Sequence, residues 1–139
     1  MIFMPNAGDE LTTTFTSQAP LAWGTHRRNH TRARRSRERY IPIPKREARR
    51  LGLRNSNCGN GLGINIFNVK STDGVFNGQL KTAGCSRKGD VYAKQFQGYG
   101  DLRALEPWLT NHHAQIGDQI RFVWQNSTDI EMTFISHHD

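Results

Sequence analysis

Arginine is the residue with the most chemistry to offer in this chain. Between His26 and Arg50 stand Arg27, Arg28, Arg32, Arg34, Arg35, Arg37, Arg39, Lys45, Arg46, Arg49 and Arg50, which is 11 of the 19 Lys and Arg residues, opposed only by Glu38 and Glu47. A guanidinium can place two parallel donors on guanine O6 and N7, and an Asn or Gln amide can pair with adenine N6 and N7. Each such pair discriminates between bases by roughly 1–3 kcal/mol. The first candidate set for that chemistry is Arg27, Arg28, Asn29, His30, Arg32, Arg34, Arg35 and Arg37. A second, smaller set follows further on: Ser86, Arg87, Lys88, Asp90, Lys94 and Gln95, in which Asp90 can accept from a cytosine amino group. The same arginine run also reads as a solvated tail, and Lys45, Arg46, Arg49 and Arg50 read better as a solvated helix face than as base readers.

The elements that would hold these residues follow from the apolar pattern. Leu11 to Ser17, rich in Thr and Phe, reads as a first strand. Residues 24–39 have no apolar periodicity and read as a long exposed loop, a kind that in compact domains is functional or disordered. Tyr40-Ile41-Pro42-Ile43-Pro44 alternates apolar residues with prolines, so it fits a sheet edge, where not every backbone N–H is needed. Pro44 then suits the first turn of a helix over 45–53, with Ala48 and Leu51 on its buried face. The Asn55-Ser56-Asn57-Cys58-Gly59-Asn60-Gly61-Leu62-Gly63 stretch is turn chemistry, without the strand or the Lys-Ser/Thr that a nucleotide-binding loop needs.

From Ile64 the pattern is one of strands. Ile64 to Val69 alternate, Ser71-Thr72-Asp73-Gly74 makes a hairpin turn, and Val75, Phe76 and Leu80 return. A short basic tip over 81–90 leads to a strand at 91–96. Asp101 is placed to cap a short helix that buries Leu102, Leu105, Trp108 and Leu109, with Pro107 in its first turn. A last hairpin pairs 120–124 with 130–135, and Trp108 and Trp124 fall on core positions.

Composition limits the function classes. The chain has 139 residues, 35% of them hydrophobic and 22% charged, which suits one globular domain over residues 1–139. A net charge of +7 and a pI near 10.0 favour nucleic acid or another anionic partner. No apolar run approaches the roughly 18 residues of a membrane span, and no secretory signal is evident at the N-terminus, so a cytosolic protein is expected. Cys58 and Cys85 alone cannot fill a structural zinc site and read as two free thiols. His112-His113 and His137-His138 are adjacent pairs, which by themselves make no metal site. No Asp…Glu-x-Lys nuclease cluster, Gly-x-Ser-x-Gly or His-Glu-x-x-His occurs. The expectation is a chain that binds and does not cut, with no catalytic residues, no metal and no cofactor.

The element order is strand, basic loop, strand, helix, hairpin, basic tip, strand, helix, hairpin. In that order the chain resembles the B3-type DNA-binding pseudobarrel of plant transcription factors and of the effector domains of EcoRII-like restriction endonucleases. The resemblance is carried by Arg39-Tyr40-Ile41-Pro42-Ile43-Pro44-Lys45, similar to the family's strand-to-helix "IPK" segment. Ile116-Gly117-Asp118-Gln119-Ile120-Arg121-Phe122 is similar to its "L-x-x-G-D" strand. It implies a mainly β fold, an open seven-stranded pseudobarrel with two short helices. It also implies two arms, at about 25–37 and 83–94, that enter the major groove of double-stranded DNA at a short, GC-containing site. By the same resemblance the chain is the target-recognition domain of a bacterial type II restriction endonuclease, whose catalytic nuclease domain lies elsewhere in the same polypeptide. The first arm is richer in arginine than that family's pattern. An RNA-binding protein whose arginine-rich segment folds on RNA is the competing expectation. A metal-dependent nuclease centred on His112 and His113 is a third.

Overall fold

The computed structural model describes residues 5–21, 38–55, 65–84 and 91–137. Seven strands form one sheet: β1 (Glu10–Thr14), β2 (Tyr40–Pro42), β3 (Ile66–Ser71), β4 (Asn77–Ala83), β5 (Gln95–Gly98), β6 (Gln119–Trp124) and β7 (Asp129–Ile135). Two short helices, α1 (Lys45–Leu51) and α2 (Glu106–Asn111), and one 3-10 turn, Ala19–Leu21, complete the described elements. The sheet order is β1-β6-β7-β3-β4-β5-β2. Its two edges, β1 and β2, curl towards each other until Thr13 Oγ1 donates to the Pro42 carbonyl at 2.7 Å. The architecture is the open seven-stranded pseudobarrel with two short helices that the sequence leads one to expect.

Period-2 alternation puts one row of each strand inside. Leu11, Ile41, Phe67, Val69, Leu80, Phe96, Ile120, Phe122, Trp124, Ile130 and Met132 are buried together. Aromatic rings fill the centre: Phe67 meets Trp124 edge to face at 5.8 Å, and Phe96 lies 4.5 Å from Phe122. Pro42 is tolerated because β2 is an edge strand, paired only with β5. The β3 and β7 pairing, Asn68↔Asp129 through Ser71↔Met132, is parallel, and it joins the C-terminal hairpin to the central one.

Several boundaries differ from the sequence reading, each for a local reason. The first strand spans Glu10–Thr14 and stops before Phe15, whose N–H turns to the Asp118 carbonyl. Helix α1 ends at Leu51 because Gly52 adopts φ 67, a left-handed stop, and Leu53 already pairs with Ala93. Pro44 is the residue before α1, extended at ψ 136, and its carbonyl accepts from Glu47 and Ala48. Asp101 does not cap α2. Its Oδ1 accepts the Arg103 N–H at 2.9 Å in a preceding turn, and Leu105 occupies the cap position with Pro107 in the first turn. The regular strand expected at 91–96 begins at Gln95; before it, Val91 to Ala93 pair instead with Leu53 to Asn55.

Two glycines decide where loops can close. Gly117 has φ +99, and a Cβ there would press the His137 ring at 3.1 Å. Next to it the buried Asp118 carboxylate accepts the Gln115 and His137 N–H groups and His137 Nδ1 at 2.9, 3.0 and 2.5 Å. Burial pushes this carboxyl up, but those donors outweigh it and hold it below the usual carboxylate range. At Gly98 a Cβ would lie 1.9 Å from the Asp101 carbonyl oxygen, so the 99–104 turn can fold across the end of β5 only over a glycine. Gly98→Ala is expected to destabilise the fold by about 2 kcal/mol, lowering the thermal midpoint by roughly 6 °C. Calorimetry checks this, and an unchanged midpoint would mean that the turn moves freely.

Candidate nucleic-acid interface

Ladder partners share a face, so the outward side chains of β2, β5 and β4 can be read off the register. One row runs Tyr40, Gln97, Lys81 and Ile66, and the next runs Pro42, Gln95 and Ala83, of which Ala83 is covered. Behind them Ile41, Phe96 and Thr82 point into the core. The outer face is rich in amides: Gln95 Nε2 donates to Gln97 Oε1 at 2.7 Å, and Gln79 Nε2 donates to Asn68 Oδ1 at 3.1 Å. Lys81 stands in the middle of this face, and Lys94 is exposed at its rim.

The two basic segments attach beside this face. Segment 22–37 leaves after the Ala19–Leu21 turn, which packs on β2, and the chain re-enters the sheet through Glu38, Arg39 and Tyr40. Arg39 is fixed at that entry: its N–H donates to the Leu102 carbonyl at 3.1 Å and its Nη1 to the Glu38 carbonyl at 2.8 Å. Burial pulls this guanidinium down from its ordinary pKa, and the nearby Glu106 opposes the shift. Segment 85–90 leaves β4 after Gly84 and returns at Val91. Tyr40, the first residue of β2, pairs with Gln97, and Ala83, the last of β4, pairs with Gln95, so the two attachments flank β5 on opposite sides towards its opposite ends, about 7 Å apart along it and about 10 Å across it.

Of the candidate base readers, Lys94 and Gln95 belong to the described structure. Arg27, Arg28, Asn29, His30, Arg32, Arg34, Arg35, Arg37, Ser86, Arg87, Lys88 and Asp90 lie outside the described residues, as do Trp23, Cys58 and Cys85. The structure also brings in residues that the sequence reading left aside. Arg54 bridges to Tyr92 at the base of the second arm, and the Arg54 and Arg49 guanidinium groups lie 5.3 and 5.9 Å from the Tyr92 ring centre. Arg54 Nε is buried without a hydrogen-bond partner among the described residues. No periodicity in the sequence marks this cluster, because it is made by pairing 53–55 with 91–93 across a long stretch of chain. Lys45, Arg46, Arg49 and Arg50 are exposed on α1. Arg50 is committed to Glu47 Oε2 and to the Glu10 carbonyl, both at 2.5 Å.

Two of the described histidines, His112 and His137, tie parts of the scaffold together. His112 ends α2, lies flat against Phe134 at 4.5 Å and contacts Asp73 Oδ2 through Nε2. His113 turns away with φ 52. Asp73, at the β3–β4 turn, also takes the Trp108 indole N–H at 2.9 Å, the Val75 N–H at 3.0 Å and the Ser71 hydroxyl. Partial burial pushes the Asp73 carboxyl up, but these donors together hold it far below the usual carboxylate range. Among the described residues no three His, Cys, Asp or Glu side chains converge as metal ligands would. No described helix is long and apolar enough to cross a membrane.

Compared with protein-family models, with curated proteins and with solved structures, the chain matches none.

Proposed function

We propose that the protein recognises a specific sequence in double-stranded DNA by placing two basic arms in the major groove. The observation that carries this reading is the spacing of the attachment sites. The arginine-rich segment and the Arg87-Lys88 segment join the two strands that flank β5, towards opposite ends of it and roughly 12 Å apart. Between them lies an outward face of Gln95, Gln97, Gln79 and Lys81, whose amide and ammonium groups suit base edges and phosphates. The Arg49, Arg54 and Lys94 group at the second base adds positive charge beside the same edge. The likeness to effector domains extends the reading: the chain serves a bacterial type II restriction endonuclease as its target-recognition module, with cleavage carried by another domain in the cytoplasm.

Fluorescence anisotropy on matched DNA and RNA duplexes tests the class of partner. With about six cations on phosphates, log affinity for DNA is expected to fall with log salt at a slope of roughly −5. DNA is expected to be preferred over RNA of the same sequence, because the deep, narrow major groove of RNA excludes side chains. Tighter binding to RNA would replace this proposal with the RNA-binding one.

A further inference from the structure

Two arginines converge on one aromatic ring where the second basic segment joins the sheet, and the backbone holds both in place. Arg54 bridges to Tyr92, flanked by the Asn55 N–H on the Val91 carbonyl at 2.8 Å and the Ala93 N–H on the Leu53 carbonyl at 2.9 Å. Its own carbonyl accepts the buried Thr82 hydroxyl at 2.7 Å. Arg49 reaches the same ring from α1. The two guanidinium carbons lie 5.3 and 5.9 Å from the Tyr92 ring centre, both within the roughly 6 Å at which an aromatic face attracts a cation. Lys94, exposed two residues further on, adds to the same positive field. We infer that Arg49 and Arg54, laid on Tyr92, bind one phosphate group, either a backbone phosphate of a bound duplex or a small free phosphate. The first source rests on the DNA-binding reading, and the second does not.

The charge balance of the two side chains selects the ligand. Arg50, a neighbour on α1, is paired with Glu47, and Arg121 is paired with Glu10. Among the described residues no carboxylate pairs with Arg49 or Arg54, so two positive charges share one ring without a counter-charge. An anion that spans both relieves their repulsion. Each guanidinium is a planar fork that meets two oxygens at once, and two forks are served better by the several oxygens of a phosphate than by the pair on a carboxylate. Of the Arg54 guanidinium nitrogens, Nε is sealed from solvent without a partner, so the forked Nη end is the one that meets a ligand. Arg49 is exposed beside it. The Tyr92 ring restrains both side chains before the ligand arrives, which lowers the ordering cost of binding.

The full chain, labelled with nitrogen-15, should be titrated with inorganic phosphate and, at matched ionic strength, with chloride. Phosphate alone is expected to shift the Nε–H signals of Arg49 and Arg54 and the amides of 53–55 and 91–93. Arg54→Ala should abolish these shifts. Arg49→Ala, at an exposed helix position that alanine suits, should weaken phosphate several-fold even if Arg54→Ala fails to fold. Tyr92→Phe, which keeps the ring, should bind as the wild type does, whereas Tyr92→Leu should bind more weakly. Anisotropy on duplexes of unrelated sequence supplies the second arm. Each arginine variant should weaken every duplex alike, by about ten-fold, and make the salt slope shallower by roughly 0.9, as loss of a backbone contact does. Such uniform weakening assigns the site to a backbone phosphate; phosphate shifts lost with duplex binding unchanged assign it to a free one. Phosphate and chloride acting alike, with duplex binding that neither variant alters, would overturn the inference, and so would a variant that changes base preference. If the chain ignores every duplex the DNA-binding proposal fails, and the phosphate titration alone decides the site.

Discussion

Replacing Arg27, Arg28, Arg32, Arg34 and Arg35 together by alanine is expected to weaken duplex binding by at least about a thousand-fold near physiological salt. Five cations at roughly 1 kcal/mol each amount to more than three decades, since each 1.4 kcal/mol is a factor of ten. The salt slope should shrink with them, because each phosphate no longer contacted removes about 0.9 from it. The thermal midpoint should stay within about 2 °C. The described core closes with Leu11 and Phe15 on one side and Ile41, Ala48 and Leu51 on the other, and Thr13 bonds directly to Pro42 across the gap. Anisotropy at several salt concentrations, beside a thermal melt, checks both halves. Binding unchanged within three-fold would return the arginine run to the role of a solvated tail.

Asp73→Ala should have the largest effect on stability. The carboxylate joins the β3–β4 turn to α2 by accepting from Trp108, Val75, Ser71 and His112, and Trp108 is only 1% exposed. Its loss strands an indole N–H in the core and releases the turn, at a cost of about 3 kcal/mol or a midpoint roughly 10 °C lower. The effect should depend on pH in a defined direction. Asp73 ionises more readily in the folded chain than in the unfolded one, so its contribution is complete above the unfolded value of about 3.9. It is lost as pH falls towards the lower folded value. Denaturant melts of the wild type and the variant should therefore differ most at pH 5 and above and converge in acid. A constant difference down to pH 2 would show that the stabilising group is not this carboxylate.

Most of the scaffold could be read from residue order, and the reasons are local. Asp73-Gly74 fixes a hairpin by turn chemistry, Pro42 fixes an edge, and Ile120, Phe122 and Trp124 alternate cleanly into the core. What stays hidden in the sequence is pairing between distant strands. The parallel β3 and β7 ladder has no signal in either strand, and neither does the 53–55 segment that brings Arg54 to Tyr92. Asp101 looks like a helix cap because Asx side chains serve turns and caps alike. Only the close approach at Gly98 shows which of the two roles it takes. Glu38 is the strongest example: in the sequence it is only one of two acids among eleven cations, yet it is buried where the run meets the sheet.

The central claim is sequence-specific reading of duplex DNA by two arms on one barrel. Selection of bound duplexes from a random pool by the full chain, repeated with Arg34→Ala and with Arg87→Ala, tests it most directly. One short enriched site is expected, with preference relaxed at different positions in the two variants. A pool that emerges unenriched, while binding still responds to salt, would contradict the account and leave only a non-specific polyanion binder.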